Sequence, residues 1–313
     1  MSSTTRTAQR AGYRHEALLW DSTEAFLRRT VPFVGEAVRA GIPAMVALTE
    51  AQARPLRSAL GPAADDVTFV DMTVLGRNPA RIIPVWLAFV AEHPGVPLRG
   101  IGELSWAPRR PAELVECQIH EAVLNLAVPA DTPLWLLCPY DTRTLDESVL
   151  DEARRNHPVV DQVGEPQVPH AYEGRDHRSL LTLPLEEPTG PVAELAFTTG
   201  DLKMLRRAAA GHAAAAGLDA ARAGELVLAV SELCSNSIDH GGGAGLLRVW
   251  SEPDALVLEV HDAGRLEDPL AGRLTPSPRQ ARGRGLWMVN RLCDLVQIRR
   301  TARGTVVRVT TWL

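Results

Sequence analysis

Two hydrophobic rhythms divide the chain. In its first half, short unbroken apolar runs alternate with segments of helical period. The runs at 17–20 (ALLW), 43–49 (PAMVALT), 67–72, 98–104 and 134–139 (LWLLCP) predict five strands. The intervening segments predict helices. The first, 22–39, is capped by Asp21 or Ser22 and stopped at Gly41, and the second, 50–60, ends at Gly61-Pro62. The others are 80–92, started or bent at Pro84, then 113–126, and 144–155, which ends before His157-Pro158. Strands that are apolar throughout, each followed by a helix, predict a parallel sheet covered on both faces. Ligands of such sheets gather beyond the carboxyl ends of the strands. Those ends carry Trp20-Asp21, Thr49-Glu50, Asp71-Met72, Glu103 and Tyr140-Asp141. No GxxxxGK[ST] loop follows any of them, which excludes phosphate binding by that device.

From 161 to 187 periodicity is lost while Pro, Gly, His and charged residues accumulate. The chain therefore reads as a polar tail at 1–12, a first domain at 13–165, a linker at 166–189 and a second domain at 190–313. The second domain opens with a strand at 192–198. A helix capped by Thr199 or Asp201 and stopped by Gly217 follows, then a longer helix capped by Asp219. Alternating runs at 246–252 and 255–261 predict an antiparallel hairpin around Pro253-Asp254. Runs at 295–300 and 305–313 predict another around Arg303-Gly304. Between the hairpins lie an aperiodic loop, 263–282, and a helix from Gly285. The expected fold class is α/β: a parallel-sheet domain, then a two-layer domain with helices on one face of a mostly antiparallel sheet.

The longer helix organises the second domain. Leu226, Val230 and Leu233 recur at helical spacing and mark its buried stripe. Glu232 and Asn236, four residues apart, leave one side of the helix at the edge of that stripe. Alone, they read as a solvated helix end before the stop at Gly241-Gly242-Gly243. Three further pieces follow in order: Asp262-Ala263-Gly264 at a strand end, Gly283-Arg284-Gly285-Leu286 opening a helix, and Gly304-Thr305 opening the last strand. Each alone is an ordinary turn, cap or helix start. Together they suit a nucleotide. A strand-end carboxylate at Asp262 accepts the exocyclic amine of adenine, and Gly264 admits the base to the backbone. Gly283 and Gly285 free backbone N–H groups at a helix N-terminus for phosphate. Thr305 hydrogen-bonds a ring nitrogen directly or through water. Asn236 ligates Mg²⁺, and Glu232 polarises an attacking hydroxyl.

Composition narrows the class. At 313 residues, 45% hydrophobic and 23% charged, the chain has the make-up of a globular protein of about two domains. A net charge of −5 argues against nucleic acid as the main ligand. No apolar run approaches the roughly 18 residues of a membrane span, and residues 1–10 lack the apolar core of a signal peptide, so a cytoplasmic protein is expected. Cys117, Cys138, Cys234 and Cys293 are scattered with no CxxC pair. They read as reduced, buried thiols rather than disulfides or a zinc site, with Cys138 a buried strand residue. His15, Glu103, His120 and Asp141 are candidates for a polar pocket in the first domain, although each also reads as a cap or a backbone partner.

The first domain resembles the MEDS sensory domain. The resemblance is carried by His15-Glu16, Pro32-Phe33 with Gly41, Gly102-Glu103, and Leu137-Cys138-Pro139-Tyr140-Asp141 followed by His157-Pro158. It implies a fold related to RecA-like ATPases without their phosphate loop, and a sensing role. The second domain resembles the GHKL (Bergerat-fold) ATP-binding module, and more narrowly the RsbW-type anti-sigma factors and serine kinases. This resemblance implies Glu232 as base, Asn236 as Mg²⁺ ligand, and Asp262 with Gly264 as the adenine site. It implies Gly283, Arg284, Gly285 and Leu286 as the second glycine box, and Gly304 with Thr305 as the third. The 263–282 loop, with Pro269, Pro276 and Pro278, becomes a lid over ATP, with Arg279, Arg282 and Arg284 near phosphates or a protein partner, or else forming a solvated basic face. One departure stands out: Leu266 occupies the position of a frequent second glycine, which narrows the adenine pocket. No phosphoacceptor histidine segment with a dimerising hairpin is present, which disfavours a sensor histidine kinase. The implied protein binds ATP and Mg²⁺, sequesters a sigma factor, phosphorylates a STAS-type antagonist on Ser or Thr, and dimerises through its ATP domain. The alternative is a non-catalytic partner-binding module with weak or no ATP binding. A small-molecule enzyme in the first domain ranks below both, because no nucleophile–base–orienter set can be read there.

Overall fold

The computed structural model describes residues 12–162, 164–172, 180–277 and 283–313. The expected tail, Pro278, Arg279 and Arg282 lie outside them. Two compact units account for these residues. The first takes 12–74, 85–109 and 124–172, and the second takes 75–84, 110–123 and 180–313.

The first half runs β1 (Arg14–Trp20), α1 (Thr23–Arg39), β2 (Ala44–Leu48), α2 (Glu50–Leu60), β3 (Val67–Asp71) and a single turn α3 (Met72–Leu75). It continues α4 (Ile82–Glu92), β4 (Leu98–Gly102), α5 (Pro111–Ala127), β5 (Leu134–Asp141), α6 (Glu147–Asn156), β6 (Val159–Gln162) and β7 (Glu165–Gln167). Its sheet has the order β3-β2-β4-β5-β1-β6-β7. Every pair is parallel except β6 with β7. All five residues of β2 and six of seven in β1 are buried, which is why these strands show no alternation of period two. The expected cap forms: Ala25 N–H donates to Ser22 Oγ at 3.2 Å.

The sequence reading missed β6 and β7. Strands of four and three residues are too short to establish a period, and β7 is wholly exposed. Their turn is held instead by one side chain. Buried Asp161 accepts from Gly164 N–H at 2.9 Å and from Arg29 Nε at 2.5 Å.

The second half runs β8 (Ala193–Thr198), α7 (Leu202–Ala215), α8 (Ala220–His240), β9 (Ala244–Glu252), β10 (Ala255–Asp262), α9 (Gly285–Leu292), β11 (Leu295–Thr301) and β12 (Gly304–Trp312). Its sheet, β11-β12-β10-β9-β8, is antiparallel at every pair. Leu205, Ala209 and Ala213 of α7 and Leu226, Val230 and Leu233 of α8 pack on Leu247, Leu256, Leu258, Val260 and Val307 of the sheet. Asp219 caps α8 by accepting from Arg222 N–H at 2.9 Å. Asp201 does otherwise: its carboxylate accepts from Thr198 N–H and Oγ, so it closes the turn before α7.

Period two explains the far face of β10. Leu256, Leu258 and Val260 face the helices, while Ala255 and Val257 pack with Trp250. Glu259 falls on that second face, 1% exposed, directly across from Arg248 on β9 and Arg308 on β12. Arg248 Nη1 donates to Glu259 Oε1 at 2.8 Å and Arg308 Nε to Oε2 at 2.7 Å, while His261 Nε2 stands 2.6 Å from Oε1. Burial works to raise the Glu259 carboxyl. The hydrogen bond with His261 and the charge of Arg308 outweigh it and hold it down at about 2. A depressed carboxyl stabilises the fold above its unfolded value, and the gain disappears as pH falls from roughly 4.3 to 2. We therefore expect Glu259→Gln to remove acid sensitivity on the order of 3 kcal/mol from urea unfolding between those pH values. Parallel wild-type and variant pH profiles would contradict it.

Candidate functional site

The C-terminal end of α8, the end of β10, the described part of the loop after it, the start of α9 and the start of β12 enclose a cavity of about 420 Å³. Cavities of roughly 300–1,000 Å³ suit small-molecule ligands. Seven expected site residues line it: Asn236, Asp262, Gly264, Gly283, Gly285, Leu286 and Thr305. Glu232, Arg284 and Gly304 do not line it.

Asp262 and Thr305 are direct neighbours across β10 and β12. Asp262 Oδ2 accepts from Ser237 Oγ at 2.7 Å and Oδ1 from Gly264 N–H at 2.8 Å. A carboxylate has about four acceptor positions, so both oxygens keep capacity for a ligand donor. Thr305 Oγ1 donates to Gly264 O at 2.8 Å and accepts from Leu266 N–H at 3.1 Å. It thereby fixes the start of the loop, and Leu266, which also lines the cavity, is anchored through its backbone.

Two glycines serve close packing. A Cβ at Gly264 would meet His240 O at 2.8 Å and Gly241 Cα at 3.0 Å, so this glycine lets the loop lie on the end of α8. A side chain at Gly304, φ +140°, would run into the Asp262 carbonyl. Gly304 thus acts outside the cavity by letting β12 start against β10.

Glu232 reaches the site from its edge. A Cβ at Gly285 would stand 3.0 Å from Glu232 Oε2 and 3.1 Å from Asn236 Nδ2. The carboxylate and the amide, one helical turn apart on α8, therefore converge on the N-terminus of α9. No side chain among the described residues caps that terminus, so its first N–H groups are available to an anion. Arg284 occupies the N-cap position, and its Nη2 donates to Ser277 O at 3.3 Å across the loop. These features fit a Mg-nucleotide: acceptors at the strand end, an amide oxygen beside a helix N-terminus, and glycine where a Cβ would fill the space.

Sequence reasoning missed four residues here. Ser237 holds Asp262, and its signal was adjacency to Asn236. A Cβ at Gly241 would stand 2.5 Å from Asp262 Cγ, so this residue is glycine for space, whereas Gly242 and Gly243 take the positive φ of the helix stop. Gly272, φ +74°, lies against Leu286, and Asn290 Nδ2 donates to Gly272 O at 3.0 Å. Asn290 in turn accepts from Asn78 Nδ2 at its O (3.1 Å) and Oδ1 (3.2 Å), and from Arg81 Nε at its O (2.9 Å). Asn78 and the loop thus meet on the Asn290 side chain of α9, with Arg81 on its backbone carbonyl, contacts over 200 residues apart in sequence between Asn78 or Arg81 and Asn290.

Of the pocket expected in the first domain, Glu103 and Asp141 lie close enough that, besides burial, the Asp141 charge pushes the Glu103 carboxyl up. Glu103 accepts from Thr49 N–H at 2.9 Å and Thr49 Oγ1 at 2.7 Å, and burial pushes its carboxyl up against those bonds. Asp141 pairs with Arg143 at 2.8 Å. His15 lies instead with Cys138, 3.3 Å away, and His157. His120 is fully buried.

Close packing at Gly304 gives a direct test. Gly304→Ala is expected to lower the free energy of unfolding by more than about 2 kcal/mol, because backbone at β10 blocks the added carbon. An unchanged denaturation midpoint would contradict that geometry.

Among the described residues no helix is long and apolar enough to cross a membrane. Residues 14–158 match the family model of MEDS, the methanogen/methylotroph, DcmR sensory domain. Residues 195–311 match the family model of the histidine kinase-like ATPase domain. No curated protein matches the chain. The second match covers the whole cavity, and the two-layer antiparallel architecture around it is consistent with the GHKL type. The chain accordingly carries a MEDS sensory domain followed by a histidine kinase-like ATPase domain.

Proposed function

We propose that the second domain binds ATP with Mg²⁺ and works as an anti-sigma regulator: it sequesters a sigma factor and phosphorylates a STAS-type antagonist on Ser or Thr. The observation that carries this reading is the meeting of Asp262, Asn236 and the start of α9, which no side chain among the described residues caps, around one cavity with Glu232 at its edge. Bound ATP supplies the transferable phosphoryl group, and Mg²⁺ neutralises its charge. Asp262 accepts the adenine amine, with Thr305 holding Gly264 and Leu266 beside the base. The first N–H groups of α9 would hold the phosphates, and the Asn236 side chain would hold the metal. Glu232 receives the proton of the attacking hydroxyl, which a half-buried carboxylate beside a helix N-terminus is placed to do.

Dimerisation through the ATPase domain completes this reading. A sensory input has a physical route. Asn78 and Arg81, within the stretch that matches the MEDS family, hold Asn290, and Asn290 holds the loop at Gly272. A shift of residues 77–81 would change what restrains the loop over the nucleotide. A second reading, partner capture with weak or no ATP binding, is favoured by Leu266, whose side chain lines the cavity where a glycine would leave it wider.

Two outcomes test the proposal. With γ-³²P-ATP and a STAS-domain substrate, Glu232→Gln should lower phosphate transfer at least about 100-fold while nucleotide binding stays within a few-fold, since proton transfer contributes 10²–10⁴. Undiminished transfer would remove Glu232 from its role, and undiminished capture of the sigma factor without any transfer would favour the second reading. Asn78→Ala should speed amide exchange across 266–277 by roughly 5- to 10-fold, the loss of about 1 kcal/mol of hydrogen bonding. Unaltered exchange there would sever the proposed route.

A further inference from the structure

The first unit contains a cluster that the nucleotide site does not use. His15 on β1, Cys138 on β5 and His157 just after α6 place their ligand atoms within 4.8 Å of one another. They are 1%, 2% and 0% exposed. His15 Nε2 stands 3.3 Å from Cys138 Sγ, and the two imidazole centroids are 4.1 Å apart. Around a tetrahedral zinc ion, neighbouring nitrogen and sulfur ligands lie about 3.3–3.6 Å apart, so this spacing needs little adjustment.

The surroundings select the ligand atoms. Asn125 Nδ2 donates to Asn156 O at 2.8 Å, which turns the Asn125 Oδ1 toward His15 Nδ1 at 3.0 Å. An amide oxygen only accepts, so the His15 proton sits on Nδ1 and the lone pair on Nε2. His157 Nδ1 lies 2.8 Å from Ala153 O, another pure acceptor, and its lone pair is likewise on Nε2. Two histidines with their outer nitrogens tied to carbonyls and their Nε2 atoms beside a thiol reproduce the outer-shell pattern of metal-ligating imidazoles. Tyr13 stacks on His15, and Tyr140 meets the His157 ring edge-on, which limits ring rotation.

We propose that His15 Nε2, Cys138 Sγ and His157 Nε2 bind a divalent transition-metal ion of the zinc class in the sensory unit. Two imidazoles and a sulfur suit a borderline-soft ion and disfavour Mg²⁺ or Ca²⁺, so this site is chemically separate from the one at Asn236. The metal–sulfur bond forms as the Cys138 thiol releases its proton to solvent. The spacing could not reveal it: the three ligands come from segments more than 120 residues apart at the extreme and contain no paired motif.

The test uses the full chain, stripped with a chelator and titrated with Zn²⁺, and separately with Co²⁺ as a spectroscopic probe. The expected result is one ion per chain and a Co²⁺–thiolate charge-transfer band. Cys138→Ser should abolish the band and weaken Zn²⁺ binding at least 100-fold, whereas Cys293→Ser should keep both. Asn125→Ala, which leaves all three ligands in place, should weaken binding about 10- to 100-fold and covers the case in which the cysteine variant fails to fold. Sub-stoichiometric Zn²⁺ binding, a band that survives Cys138→Ser, or full affinity in Asn125→Ala would overturn the assignment. Because neither readout involves ATP, its failure is separate from any failure of the nucleotide site.

Discussion

The Asp262 carboxylate is the joint on which the ATPase domain turns. It ties the last turn of α8, through Ser237, to the end of β10, and it sets the loop through Gly264 N–H. The Asp262 side chain leaves no room for one at Gly241, and the Asp262 backbone carbonyl leaves none at Gly304. A carboxylate with both oxygens already engaged is held in one orientation, so any ligand donor that meets it does so without a cost of ordering the side chain. The same close approach of helix end and strand end shapes the inner wall of the cavity. The site is therefore a consequence of how α8 meets the sheet.

Charge on the sheet is arranged by face. The helix-facing side of β10 is apolar, and the far side carries the Arg248–Glu259–Arg308 row. Removing one partner of such a buried row leaves an uncompensated charge, and because its members face one another across three strands the row also fixes register. Register matters here, because a slip of one residue would exchange Asp262 for a neighbour and turn the site away from the cavity. In the sensory domain, buried polar groups are handled differently. Glu103 is satisfied by Thr49, while His15, Cys138 and His157 are gathered in one place.

Much of this was legible in the sequence. The alternating apolar runs placed five of the parallel strands, and the two hairpins and the stripe Leu226, Val230, Leu233 emerged as read. Seven of the ten residues that the sequence singled out line one cavity, because glycines and a strand-end carboxylate in that order come together where a helix end meets the sheet. What stayed hidden has physical reasons. The strands β6 and β7 are too short to show a period. Gly272 and Asn290 matter through contacts made across the fold, and nothing local marks them. Gly264 also packs against the His240 carbonyl, a constraint of the folded chain that the local sequence does not show.

The central claim is that Asp262 reads an adenine amine. The most direct measurement is a calorimetric titration of the intact chain with ATP·Mg²⁺ beside GTP·Mg²⁺. Guanine presents a carbonyl where adenine presents the amine, and a carbonyl facing a carboxylate leaves two acceptors opposed. The account predicts saturable binding of one ATP per chain and at least tenfold weaker binding of GTP. No heat with ATP, or equal affinity for both nucleotides, would contradict it.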